Sequence, residues 1–310
     1  MMARVIGKKA IKGFNSILNF AVLTVIVLVS AFAVYALWDS KQVYNAADKS
    51  KYAIYKPTVE NEGKSFMELR EINPEVFAWL SVYGTNIDYP MTQGKTNMKY
   101  VNTNAEGQYS LTGAIFLDTE NSMDFSDFNS ITYGHHMEKK TMFGEIGEFL
   151  DKNMFDTHRY GNLYYDGKEY GIEFFAFVHA DAYDRTVFTP AVSQETRQDY
   201  LDNLLAKAIH IRDVGVTAED RIILLSTCSA SSTNGRDILV GRITDKVYMD
   251  PFLKDQTIVE KENTNTIDPG GTVIGIPWWV VALTVVITIR LIVLIAEVFR
   301  KTKRKQYDVN

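Results

Sequence analysis

The 310-residue chain has one cysteine, Cys228, so no internal disulfide can brace it. It has no excess of positive charge either: 33 Lys and Arg stand against 38 Asp and Glu. Without a basic stripe to hold a phosphate backbone, nucleic-acid binding is set aside. Metal-ligand spacing is missing as well, since a zinc site would want further thiolates or a helical His spacing such as H-E-x-x-H. The five histidines are His135, His136, His158, His179 and His210. Adjacent residues on an extended segment point to opposite sides, so His135 and His136 make a poor chelate. Internal repeats and low-complexity tracts are also lacking, which excludes solenoids and disordered arrays.

Long apolar runs are present, and there are two. Phe20 to Trp38 is interrupted only by Thr24 and Ser30 and is long enough to cross a bilayer; Arg4, Lys8, Lys9 and Lys12 precede it. A cleaved signal peptide is the competing reading, but the one small-x-small match, Ala31-Phe32-Ala33, lies inside the apolar run rather than after it. Ile276 to Phe299 is the second run, led by Trp278 and Trp279 and followed by Arg300, Lys301, Lys303, Arg304 and Lys305. Arg290 interrupts it, near enough to the basic tail for its long stem to lean toward that interface. Positive residues flank the outer end of both runs, which puts both termini in the cytoplasm and the middle of the chain outside. Between the anchors the chain is acidic by about twelve charges.

The expected organisation is a basic cytoplasmic N-terminus (1–16), a transmembrane helix (17–38), a stalk (39–64), a catalytic domain (65–250), a linker (251–275), a second transmembrane helix (276–299) and a basic cytoplasmic tail (300–310). Within the domain, Ser65 with Glu68 three residues on reads as a capping box ahead of Phe66, Leu69 and Ile72. The period then changes to that of strands: Val76–Val82, Thr85–Tyr89, Gly113–Leu117, Ser130–Tyr133, Asn162–Tyr165 and Glu169–Ala180, with Asp166-Gly167 as a hairpin turn between the last two. Helical spacing is confined to Met142–Leu150 and Ser193–Ile209. Many short strands with few helices argue for a mostly β, closed barrel with peripheral helices, flanked by the two membrane helices.

The most informative stretch runs from Ile222 to Ile243. A buried strand, Ile222–Leu225, opens into a loop of Ser, Thr, Asn and Gly, and a second strand returns from Asp237 to Ile243. Cys228 sits where the first strand gives out. Free cysteines are commonly small buried hydrophobes, yet Ser226, Thr227, Ser229, Ser231 and Ser232 form a polar rim here. Arg236 closes the loop, and the return strand can set it beside the sulfur, where a positive charge favours thiolate. Arg242 is the rival cation, six residues further along and expected at the surface. For a proton-transfer partner, the segment Thr132-Tyr133-Gly134-His135-His136-Met137 ends a strand at a Gly, and only one of its two histidines can face the thiol. His158 and His210 are expected to be solvated, and His179 to be a satisfied strand or core residue.

Leu224-Leu225-Ser226-Thr227-Cys228 followed by Arg236 resembles the Cys signature and downstream Arg of the sortases, cysteine transpeptidases of Gram-positive cell surfaces; Tyr133-Gly134-His135 is similar to their catalytic-His strand end. Ile72-Asn73 through Trp79-Leu80, Asn86 to Pro90, Gly113 to Asp118 and Tyr133 to Met137 resemble landmarks of class B in the right order, so the likeness covers about Phe66 to Tyr248. Leu224 departs from the Thr of the signature, and the second anchor resembles that of pilus-building class C enzymes. The resemblance implies Cys228 as nucleophile, His135 as acid and base and Arg236 as the donor to substrate backbone or oxyanion. Ser226, Thr227 and, through Tyr100 to Asn104, Asn104 are candidates for lining the peptide groove. It also implies secreted proteins with a C-terminal sorting signal as substrates, an amine of peptidoglycan or a pilin Lys as acceptor, and no catalytic cofactor. Two other readings stand beside it: a membrane-bound cysteine protease with the same dyad, and a non-enzymatic surface protein with a buried Cys228.

Overall fold

The computed structural model describes residues 2–57, 64–228 and 234–253, together with Arg290. Helix α1 (Met2–Ala46) opens the chain. Its segment Gly13–Ala46 is long and apolar enough to cross a membrane, with Phe32 and Leu37 among its exposed apolar side chains. The second apolar run, residues 254–275 of the linker before it and the basic tail lie outside the described residues, Arg290 excepted.

Nine strands follow among the described residues: β1 (Val76–Val82), β2 (Asp88–Thr92), β3 (Ile115–Leu117), β4 (Asn129–Tyr133), β5 (Tyr160–Tyr165), β6 (Lys168–Asp181), β7 (Ala208–Ile211), β8 (Arg221–Cys228) and β9 (Gly235–Thr244). They form one sheet in the order β5-β1-β2-β3-β4-β8-β9-β6-β7, and β5 pairs with β6 as well. That extra pairing closes eight strands into a barrel and leaves β7 on the outer flank of β6. Closure removes the unpaired edges an open sheet would expose. Most pairings are antiparallel, but β4 and β8 run parallel, Asn129 opposite Ile222 through Tyr133 opposite Ser226. These two strands therefore end side by side, at the end of the barrel where antiparallel β9 begins.

Side chains alternate across these strands. Ile223 and Leu225 of β8, with Leu239 and Ile243 of β9, face the interior cluster with Trp79, Phe143, Phe149 and Phe177. Ile222, Leu224, Ile238 and Val240 face a second cluster outside the wall, with Ile131, Val178, Val187, Tyr200, Leu201 and Leu204. Helix α4 (Arg197–Ala206) supplies the last three. Because β8 and β9 bury both faces, they read as near-continuous apolar runs.

Several elements differ from the sequence reading. Helix α2 spans Lys64–Ile72, so Ser65 lies inside its first turn; rather than capping, its hydroxyl donates to the Lys56 carbonyl at 3.2 Å. The second strand is shifted to Asp88–Thr92 because the Thr85 hydroxyl accepts from Ile87 N–H and donates to the Val82 carbonyl, which holds the intervening residues in a turn. Of Met142–Leu150 only Ile146–Leu150 is helical, as a 3₁₀ turn; Met142 takes a left-handed φ of 53°. The long helix ends at Ala206, and Ala208–Ile211 instead pairs with β6, which offers it a free edge. Helix α3 (Lys152–Thr157), with Asp151 capping Met154 N–H, had no periodic signal at its length of six residues.

The expected stalk also differs. The compact unit begins at Lys41, not Ser65. Ala47 and Tyr52 are buried in the interior cluster, and the Tyr89 hydroxyl donates to the Ala47 carbonyl at 2.8 Å.

Candidate active site

The parallel register of β4 and β8 builds the site. Tyr133 is opposite Ser226, and the ladder continues one step further through Gly134 N–H donating to the Ser226 carbonyl at 3.2 Å. His135 and Cys228 each lie two residues beyond that pair, and a two-residue step on an extended chain returns to the same face. On the other flank of β8, Cys228 is directly opposite Arg236. Residues facing one another across a ladder share a face, so the sheet brings His135, Cys228 and Arg236 together on adjacent strand ends, on the side away from the barrel interior.

Cys228 is exposed, not buried as a structural thiol would be. His135 is half-buried, and its Nε2 lies 2.8 Å from the Val101 carbonyl oxygen. A carbonyl can only accept, so Nε2 carries the proton and Nδ1 is the nitrogen left to exchange protons in the neutral ring. Arg236 is half-buried, and its Nη1 donates to the Gly235 carbonyl at 3.0 Å. His136, one residue on, falls on the opposite face and pairs with Met142. The sequence argument that only one of the two histidines can face the thiol agrees with this alternation.

The remaining candidates separate. Ser226 lies on the face of Cys228 but is 1% exposed, and Thr227 points to the barrel side at 2% exposure. Neither hydroxyl has a partner among the described residues. Asn104 is buried, with its carboxamide oxygen accepting from Glu106 N–H and Gln108 N–H, so it organises its own turn. Arg242 is not a loose surface cation: it bonds Glu173 at 2.7 Å. His210 Nε2 donates to the Leu150 carbonyl at 2.7 Å, and His158 stacks on Phe252 at 4.7 Å, so neither is merely solvated. His179, read as a satisfied strand residue, has Asp237 at 2.9 Å from Nδ1.

Three contributors were not among the candidate site residues. Tyr133, at the base of the His135 turn, donates to Asp118 Oδ2 at 2.9 Å; burial and the Asp118 charge push its phenol well above the ordinary range, while the Arg236 charge opposes them. It therefore stays a neutral donor. Asn129 gives its carboxamide N–H groups to the Thr189 carbonyl and the Tyr200 hydroxyl, at 2.8 and 2.7 Å. Tyr200 in turn donates to the Val187 carbonyl at 2.6 Å, so the segment 187–189 is tied over the outer face, where Phe188 stacks on Tyr133. Such pairings depend on chain returns across 60 and 71 residues, which local pattern does not carry.

An exposed thiol with an imidazole and a guanidinium on neighbouring strand ends is the equipment of nucleophilic acyl transfer. No protein-family model matches the chain. Among characterised proteins, it is 28% identical to sortase B of Staphylococcus aureus over 239 residues, 75% of this chain and 97% of that protein. It is 30% identical to sortase B of Listeria monocytogenes over 217 residues, 68% of this chain and 88% of that one. Among solved structures, sortase B from the Type II pilus of Streptococcus pneumoniae shares 49% identity, with a TM-score of 0.51 over 58% of this chain and 98% of that one. The closed barrel and these relatives define a cysteine transpeptidase. Within that class, the chain belongs to the sortase B family.

Proposed function

We propose that the chain is a membrane-anchored transpeptidase that cleaves a C-terminal sorting motif of secreted proteins through a thioacyl-enzyme and passes the acyl group to a primary amine. The observation that carries this reading is the strand register that aligns Cys228 with Arg236 and, one step beyond the β4–β8 ladder, with His135. Cys228 Sγ attacks the carbonyl carbon of a Thr in the motif, and its proton passes to His135 Nδ1. Arg236 hydrogen-bonds the oxyanion or the adjoining backbone. As the C–N bond breaks, the imidazolium gives that proton to the departing amine. An incoming amine then gives up a proton to His135 and displaces the thiolate from the thioester.

Helix α1, preceded in sequence by Arg4, Lys8, Lys9 and Lys12, supports membrane anchoring with the catalytic unit outside. With the second apolar run, both termini lie in the cytoplasm. Two acceptors fit: an amine of peptidoglycan, or a Lys amine of a pilin subunit. The pilin reading is favoured by the origin of the pneumococcal relative in a Type II pilus. Wall anchoring remains the reading of the class as a whole.

The test uses the full-length protein in detergent, incubated with quenched peptides carrying sorting-type motifs, with and without an amine acceptor, beside Cys228→Ala. Transpeptidation requires Cys228-dependent cleavage with the amine in the product. Cleavage that never incorporates an amine makes the protein a protease. A pilin peptide outcompeting a peptidoglycan amine assigns the acceptor.

A further inference from the structure

Directly behind the catalytic row is a second row of side chains, built from the neighbours of the catalytic residues. Asp237 follows Arg236 on β9 and points to the opposite face, opposite Thr227 on β8 and His179 on β6. Its carboxylate is bonded to His179 Nδ1 at 2.9 Å, with side-chain exposures of 12% for Asp237 and 37% for His179. Gly147 packs against it so closely that an added Cβ would sit 3.1 Å from Asp237 Oδ2. The pair lines a cleft of about 510 Å³ with His136, Glu138 and Glu148. Arg236 itself has one described hydrogen bond, to its neighbour's carbonyl, and that bond does not fix which way the guanidinium faces.

We infer that the His179–Asp237 pair is a positioning device for Arg236, locking the phase of the first residues of β9 so that the guanidinium faces Cys228. The physical reason is the two-residue period of a strand. A slip or twist that brings Asp237 off the barrel side carries Arg236 off the thiol side, because the two must alternate. A strand is least constrained at its first residues, and a cross-strand bond there selects one phase. The carboxylate is nearly buried, so the alternative phase would strip it of its partner. This inference rests on the placement of Arg236 beside Cys228 in the proposed function, but its test needs no peptide substrate.

Cys228 is the sole cysteine, so its alkylation by iodoacetamide reports on one site. The thiolate is the nucleophile in alkylation, and a guanidinium turned toward a sulfur speeds its reaction. In the full-length protein in detergent at pH 7, Arg236→Ala slows alkylation several-fold, and His179→Leu slows it by a similar factor. His179→Asn, whose amide nitrogen falls near the position of Nδ1, restores most of the rate. Arg236→Ala combined with His179→Leu is no slower than Arg236→Ala alone, because the pair acts through the arginine. An equal further loss from His179→Leu in the Arg236→Ala background would reduce the pair to a structural contact and overturn the inference. So would failure of His179→Asn to outperform His179→Leu. A His179→Leu protein alkylated at the original rate overturns the inference, and an Arg236→Ala protein alkylated at the original rate overturns it together with the role of Arg236; alkylation that responds as expected in a protein that turns over no sorting peptide keeps the inference and counts against the transpeptidase reading alone.

Discussion

At the scale of single residues, the question at Arg236 is whether its charge or its donor geometry matters more. Arg236 has a planar fork of donors, and a Lys ammonium at the same position is a flexible point charge. Arg236→Lys keeps the charge and loses the fork, so kcat on a sorting peptide is expected to fall on the order of 10²-fold, the usual effect of removing one oxyanion donor. Steady-state kinetics check this, and an unchanged kcat would show that charge alone suffices. His135, Cys228 and Arg236 stood out in sequence as candidates because each sits at a strand end beside a Gly or a polar loop: Gly134 before His135, and the Ser-rich rim around Cys228. The His179–Asp237 pair did not, since nothing local distinguishes it from ordinary strand residues, and Tyr133 and Asp118 stood in the segments that carry the resemblance with no sign of the hydrogen bond between them. Asn104 was a candidate only through the resemblance of Tyr100 to Asn104, and local pattern gave no sign that its carboxamide oxygen accepts two N–H groups of its own turn.

At the scale of elements, two buried polar contacts hold segments against the barrel, and each makes a measurable claim. Glu145 is 5% exposed and accepts Asn86 N–H at 2.5 Å, clamping the turn between β1 and β2. Burial raises its carboxyl above the ordinary value, with the Asn86 bond opposing. A carboxyl raised in the folded state is a destabilising influence that grows as pH rises through the unfolded and then the folded pKa. Glu145→Gln keeps an acceptor for Asn86 and removes the charge. It is expected to raise Tm at pH 7, with the gain vanishing below the ordinary carboxylate range, where Glu145 is protonated in both states; thermal melts across pH 3 to 8 test the sign. Tyr200→Phe acts on the other contact. It leaves the Val187 carbonyl without its donor and Asn129 with one acceptor fewer, costing about 1–3 kcal/mol. By freeing the segment 187–189 over the outer face it should raise KM for a sorting peptide more than it lowers kcat. Apolar strands bounded by turn residues, such as β1 and β6, were readable to within a residue or two. Short elements whose state depends on a distant edge were not: Ala208 continues the helical spacing of Leu201, Leu204 and Leu205, and only β6 makes it part of a strand.

At the scale of the whole molecule, composition was a good guide to class and a poor one to boundaries. Strand number, the acidic middle and the single cysteine pointed to a closed barrel carrying thiol chemistry, and the chain closes eight strands as expected. Its starting point was missed, because Lys41 to Lys64 is polar and weakly periodic, and sequence cannot show that Tyr52 lies against Tyr89 at 6.5 Å. The folded unit therefore includes what looked like a stalk, and truncation makes the distinction sharp. A chain starting at Lys41 retains Ala47 and Tyr52; one starting at Ser65 removes both and takes an acceptor from the Tyr89 hydroxyl. Losing the burial of one Tyr costs about 2–3 kcal/mol, and a weakened buried hydroxyl about 1 kcal/mol more. The ion pairs Lys51–Glu106 and Lys56–Asp88 are partly exposed and add little. For a domain of this size about 4 kcal/mol corresponds to roughly 8–16 °C in Tm. Calorimetry on the two truncations should therefore separate them by that margin, with Tyr52→Ala in the longer form falling between. Equal melting temperatures would mean that the segment rests on the barrel without stabilising it, and that the catalytic unit begins where the sequence first suggested.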